Sequence, residues 1–210
     1  MEEFLKSFLE PVSYLIYAVV VYYFSKKDRS AKIKLLLGYY LFASIVLSIG
    51  QFVVDNNWVY NVFFFITLNL FSYFFYHVLY LPNDKKIVLA LYTCNASLFF
   101  INDVVLRQLW QENNYMRSFY FFTIILYSLL FLYETIKDVN ETNILERFEF
   151  WLISGYLLYF LGSLCIVLYY KYPTLAQRAE LWILQNLILF CSSLITGAGT
   201  LWLMKQKRFR

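Results

Sequence analysis

The sequence predicts an all-α integral membrane protein: a single domain over residues 1–210, a seven-transmembrane-helix bundle with the N-terminus outside and the C-terminus cytoplasmic. Three observations carry the prediction. Of the 210 residues, 61% are hydrophobic and only 15% are charged, against about 25% charged in an ordinary soluble domain. Aromatics are abundant, with 22 Phe, 20 Tyr and 5 Trp. The apolar residues also gather into seven runs that approach the roughly 20 residues needed to cross a hydrocarbon core, and the charges fall at the ends of those runs. This composition excludes a disordered or collagen-like chain, a disulfide scaffold and a conventional soluble enzyme. In lipid, runs of this length satisfy their backbone groups as helices.

The first run covers about 8–24 and stops at Ser25-Lys26-Lys27-Asp28-Arg29, the start of the densest positive cluster. An acidic start, Met1-Glu2-Glu3, and no small-residue cleavage site argue against a cleaved signal peptide, so this run is expected to be retained. The second run, 35–54, ends at Asp55-Asn56-Asn57, and the third, 58–81, ends at Pro82-Asn83-Asp84-Lys85-Lys86. The fourth, 87–106, leads into the polar stretch Arg107 to Arg117, and the fifth is 118–133. The charged segment Glu134 to Glu149 is read as an extension of the fifth helix or a surface-lying amphipathic stretch. The sixth and seventh runs are 150–170 and 181–204. Pro11, Pro82 and Pro173 all fall at run ends or loops and act as punctuation.

Orientation follows from Lys and Arg. Lys26, Lys27, Arg29, Lys32, Lys34, Lys85, Lys86, Lys137, Arg147, Lys205, Lys207, Arg208 and Arg210 lie on one side; Lys6, Arg107, Arg117, Lys171 and Arg178 lie on the other. The positive-inside rule places the richer side in the cytoplasm. The net charge of +4 is therefore read as topology, with the lipid bilayer as partner and no nucleic acid. Trp58, Trp110, Trp151, Trp182 and Trp202 near run ends suit the headgroup belts.

Charged groups in spans are costly and are functional candidates. Asp103 lies four residues before Arg107, a spacing that pairs them on one α-helical face. Asp55, Glu10, Asn61 and Asn102 share the same outer level and complete a candidate ligand pocket. A polar interior is expected from Asn69, His77, Asn95, Gln185, Asn186 and Thr196. Gln185, Ser192, Thr196 and Thr200 fall on one helical face, which reads first as a packing seam. A lone histidine, His77, and three cysteines inside apolar runs make no metal set, so no metal and no cofactor is expected. The sequon Asn140-Glu141-Thr142 falls on the side assigned to the cytoplasm, where glycosylation is not expected.

Among seven-helix families, retinal pigments need a lysine in the last span, and none lies between Leu181 and Met204. Seven-helix sugar transporters use Pro-Gln motifs, which are absent, and seven-helix zinc hydrolases need several histidines. Trp151-x-x-x-Gly155-x-x-x-Tyr159-x-x-Gly162 and Trp182-x-x-x-Asn186, in the last third of the chain, resemble the seven-helix sensor regions found ahead of bacterial signalling kinases. That resemblance implies sensing of a small ligand or of membrane state from outside. With six residues after Met204, output is expected through a separate signalling partner. The expectation is a sensory or accessory protein of the cytoplasmic membrane without its own catalysis. A small-solute transporter or channel stands as the alternative, and an outer-leaflet lipid-modifying enzyme using Asp55 and Asp103 as the third.

Overall fold

Long runs of Phe, Leu, Ile, Tyr and Val leave one arrangement that satisfies every peptide group without water, which is helix. The computed structural model describes residues 9–25, 31–50, 57–106, 114–137, 144–169 and 175–206, and it is helical almost throughout them. The helices are α1 (Leu9–Ser25), α2 (Ala31–Gly50), α3 (Asn57–Val78), α4 (Pro82–Phe99), α5 (Asn114–Lys137), α6 (Phe148–Tyr169) and α7 (Leu175–Gln206). A π-helical segment, Phe100–Val105, continues α4, and a 3-10 turn, Ile144–Glu146, precedes α6. Four stretches are long and apolar enough to cross a membrane: Asn57–Val78, Tyr115–Lys137, Phe148–Tyr169 and Glu180–Leu203. Leu9–Tyr23 and Ile33–Ser48 are shorter apolar helices.

Helix ends differ from the apolar runs because helical hydrogen bonding does not stop at the first charge. α2 begins at Ala31, before the run, and takes in Lys32 and Lys34 while Ile33 between them is fully buried. α4 begins at Pro82, where a missing N–H costs nothing. α5 runs past Tyr133 to Lys137 because Glu134 faces inward. α7 starts at Leu175, six residues before its apolar run.

The packing order is a ring. α1 lies against α2 and α7, α7 against α6, α6 against α5, α5 against α3, and α3 against α2. α4 sits outside this ring in contact with α3 and α5. Aromatics fill the centre. Phe71 of α3 meets Tyr156 and Phe160 of α6 edge-on, with centroids 4.6 and 5.7 Å apart. Tyr17 and Tyr40 stack at 5.0 Å across α1 and α2. Edge-to-face and offset stacks are the favoured aromatic geometries.

Two devices handle polar groups in this apolar interior. Buried hydroxyls bond back to their own helix: Ser13 donates to the Leu9 carbonyl (2.7 Å), Thr67 to Phe63 (2.7 Å), Ser128 to Ile124 (2.9 Å) and Thr135 to Phe131 (2.7 Å). Others cross-link helices. Tyr17 and Ser192 hydroxyls meet at 2.8 Å (α1–α7), and the Asn95 amide donates to Thr123 Oγ1 at 2.9 Å (α4–α5). The α6–α7 seam is built by glycine. A Cβ on Gly155 would collide with Thr196 Oγ1 and lie 3.0 Å from the Ser192 carbonyl. One on Gly199 would enter the Trp151 ring. The Trp151/Gly155 spacing noted in the sequence is thus half of a close helix contact.

The α3–α4 turn is held from a third helix. Leu81 takes an extended conformation (φ −71°, ψ 126°) and has no side-chain cap. The Glu134 carboxylate of α5 accepts from Tyr80 N and Leu81 N, both at 2.9 Å, while the Tyr80 hydroxyl donates to the Glu134 carbonyl at 2.8 Å. The bundle therefore has a Glu10 end, where α1, α3, α5 and α7 begin, and a Glu134 end.

Candidate functional site

The candidate site lies at the Glu10 end, where five helices converge on a cavity of about 30 Å³. α1 contributes Glu10 and Tyr14, α3 Tyr60 and Phe64, α5 Arg117, α6 Tyr159, and α7 Trp182 and Gln185. Each charged member sits in the first turns of its helix. Glu10 is favoured there by the helix N-terminus, whereas Arg117 is not, so its placement needs another support. Aromatic rings supply it: the guanidinium carbon is 5.8 Å from the Tyr60 centroid and 5.5 Å from that of Phe64.

Glu10 is 7% exposed, Arg117 8% and Gln185 8%. Tyr60 and Trp182 meet edge-on at 5.9 Å and 83°, closing one wall. A carboxylate, a guanidinium and an amide around an aromatic chamber can hold a small molecule with complementary charge and hydrogen bonds. Among the described residues no group of three or more His, Cys, Asp or Glu could hold a metal.

Below this cavity is a smaller one, of about 10 Å³, lined by Tyr40, Tyr156 and Tyr17, with Tyr14 and Tyr159 shared between the two. The Tyr40 and Tyr156 hydroxyls are buried there without a hydrogen-bond partner. Buried polar atoms of this kind mark room for one water at most.

The chain matches no family model, no curated protein and no solved structure. The site must therefore be argued from its own residues.

Of the residues expected in the pocket, Glu10 lines the cavity and Asn61 is buried in the first turns of α3. Asp55, Arg107 and the side chain of Asp103 lie outside the described residues. The pairing of Asp103 with Arg107 therefore lies outside the described residues. Residues Phe100–Val105 are π-helical, with Leu106 N donating to the Ile101 carbonyl at 3.0 Å, so the register there is i,i+5. Asn102 rides on this segment, half-buried, away from the cavity wall.

The expected polar interior divides. Gln185 lines the cavity and Asn186 is buried beside it on α7. Thr196 packs at the α6–α7 seam, 3.3 Å from the Trp151 carbonyl. Asn95 faces α5. Asn69 and His77 line a separate cleft between α3 and α4, and His77 is exposed at its edge, not interior. Asn69, His77, Gln185 and Thr196 therefore face no common cavity. Sequence reasoning missed Arg117, Tyr60, Tyr159 and Trp182 as site residues. The signal for Arg117 was present, since it stands four residues before the apolar Phe121 at the head of a long helix.

Proposed function

We propose that this chain is a seven-span protein of the cytoplasmic membrane, N-terminus outside and C-terminus cytoplasmic, of sensory or accessory type. It takes a small ligand in the Glu10 cavity and signals through a separate partner, without catalysis of its own. The observation that carries this reading is the burial of Glu10 and Arg117 on different helices around one aromatic chamber. Buried charge at the edge of a membrane bundle is expensive and is retained for function by default. The Lys and Arg distribution supports placing that end outside.

At about 30 Å³ the cavity has room for water only. A ligand must part Tyr60 from Trp182 and so move α3 against α7. Every helix of the ring except α2 supplies a wall residue, so this wedge changes helix packing throughout the bundle. Such a shift is the kind of bistable rearrangement a partner can read. Thermal unfolding in detergent against a panel of small zwitterions, anions and cations tests the proposal. One ligand class is expected to raise Tm of the wild type and to lose its effect in the Glu10→Gln, Arg117→Gln variant. If no class stabilises the wild type more than that variant, the cavity is not a ligand site.

A further inference from the structure

The cleft between α3 and α4 is much larger than the Glu10 cavity, about 400 Å³, and lies towards the Glu134 end. That volume is within the range of small-molecule sites. It opens sideways, since Tyr73 on one lip and Leu89 on the other are 44% and 48% exposed. Its floor is polar but satisfied: the Tyr92 hydroxyl donates to Asn69 Oδ1 at 2.7 Å, and the Asn69 amide donates to the Phe65 carbonyl at 2.7 Å. The floor therefore demands nothing of a guest.

The rim is different in character. His77 packs its ring on Tyr73 at 4.4 Å and remains exposed. Lys85 extends from α4 across to α3 and holds its Nζ 5.5 Å from the Tyr76 centroid. Lys86 is exposed beside it. The acid of this turn, Asp84, is buried near Glu134 of α5 and does not line the cleft. At the rim Lys85 meets the Tyr76 ring, and inside it Val88 and Leu89 form an apolar wall beside the polar floor. That order matches an amphiphile with an anionic head and an alkyl tail.

We propose that the α3–α4 cleft binds one anionic phospholipid, its phosphate against Lys85, Lys86 and His77 and an acyl chain along Leu89. The proposal rests on the membrane placement argued above, though not on the ligand cavity at the other end. The test uses full-length protein reconstituted in equimolar phosphatidylglycerol and phosphatidylcholine, extracted mildly, with retained lipid counted by native mass spectrometry. Wild type is expected to retain phosphatidylglycerol over phosphatidylcholine. At about fivefold per lysine near an anionic surface, Lys85→Gln with Lys86→Gln lowers retention roughly 25-fold. Leu89→Trp fills the slot and removes both lipids, while Glu10→Gln leaves retention unchanged, so the two readings fail separately.

Equal retention of the two lipids by the wild type would overturn the proposal. So would undiminished phosphatidylglycerol in the Leu89→Trp protein, or displacement of the lipid by glycerol phosphate alone. The lysines are surface groups, so the paired glutamine variant is expected to stay folded and monodisperse on size exclusion.

Discussion

The α6–α7 seam offers a sharp quantitative test through two glycines. At Gly199 an added methyl enters the Trp151 ring, whereas at Gly38 on α2 an added methyl meets nothing within 4 Å. Both are helical, so alanine gains the same helix propensity of about 1 kcal/mol at each. Comparing Gly199→Ala with Gly38→Ala cancels that term and isolates the contact. Accommodating the methyl means moving a rigid indole, an overpacking cost of about 1–3 kcal/mol. Trp151 Nε1 also donates to the Leu145 carbonyl at 2.9 Å. Shifting the ring loses that bond, about 1 kcal/mol more.

The two variants should therefore differ by about 2–4 kcal/mol. For a chain of this size that corresponds to roughly 5–15 °C in Tm. Gly38→Ala should match or exceed the wild type, and Gly199→Ala should unfold well below it. Thermal unfolding in one detergent, followed by circular dichroism, makes the comparison. If the two variants shift equally, Gly199 does not set the helix separation and the seam has been wrongly assigned.

Glu134→Ala removes the acceptor for two backbone N–H groups at 2.9 Å and should lower stability by about 3 kcal/mol, since hydrogen bonds to charged groups are the strong ones. Glu134→Gln keeps one acceptor oxygen and should fall between, as denaturant titration would show; no loss in either variant would mean that the α3–α4 turn holds without its carboxylate. A double-mutant cycle of Tyr17→Phe and Ser192→Ala should give a coupling of about 1 kcal/mol across α1 and α7; purely additive unfolding energies would contradict the 2.8 Å contact. Cys94, Cys165 and Cys191 are free and exposed on helix surfaces, which a bilayer would cover. A charged thiol reagent should leave them unlabelled in vesicles and label them after denaturation. Labelling in intact vesicles would place those faces in water.

Much of the helix pattern was legible in the sequence because it depends on local information. A peptide group in lipid has no water to bond, so each long apolar run becomes a helix whatever its neighbours do. Helix ends depart from the run ends where helices continue through charges, as at Ala31, Lys137 and Leu175. Glu134 shows why. In sequence it is the first charge after an apolar run and reads as a boundary. In the fold it is buried, because the unsatisfied N–H groups of Tyr80 and Leu81 lie opposite it.

The same division separates the two site readings. The sequence by itself determined the helical class, which follows from composition and spacing along one chain. It could rank Asp103 with Arg107 only by assuming α-helical register, whereas the backbone from Phe100 to Val105 is π-helical. Only the tertiary structure decided that Glu10 and Arg117, 107 positions apart, wall the same chamber, and that Lys85 reaches Tyr76 across a cleft. Those pairings depend on ring order and helix rotation. Both are settled by how aromatic side chains from several helices interlock, and no single helix carries that information.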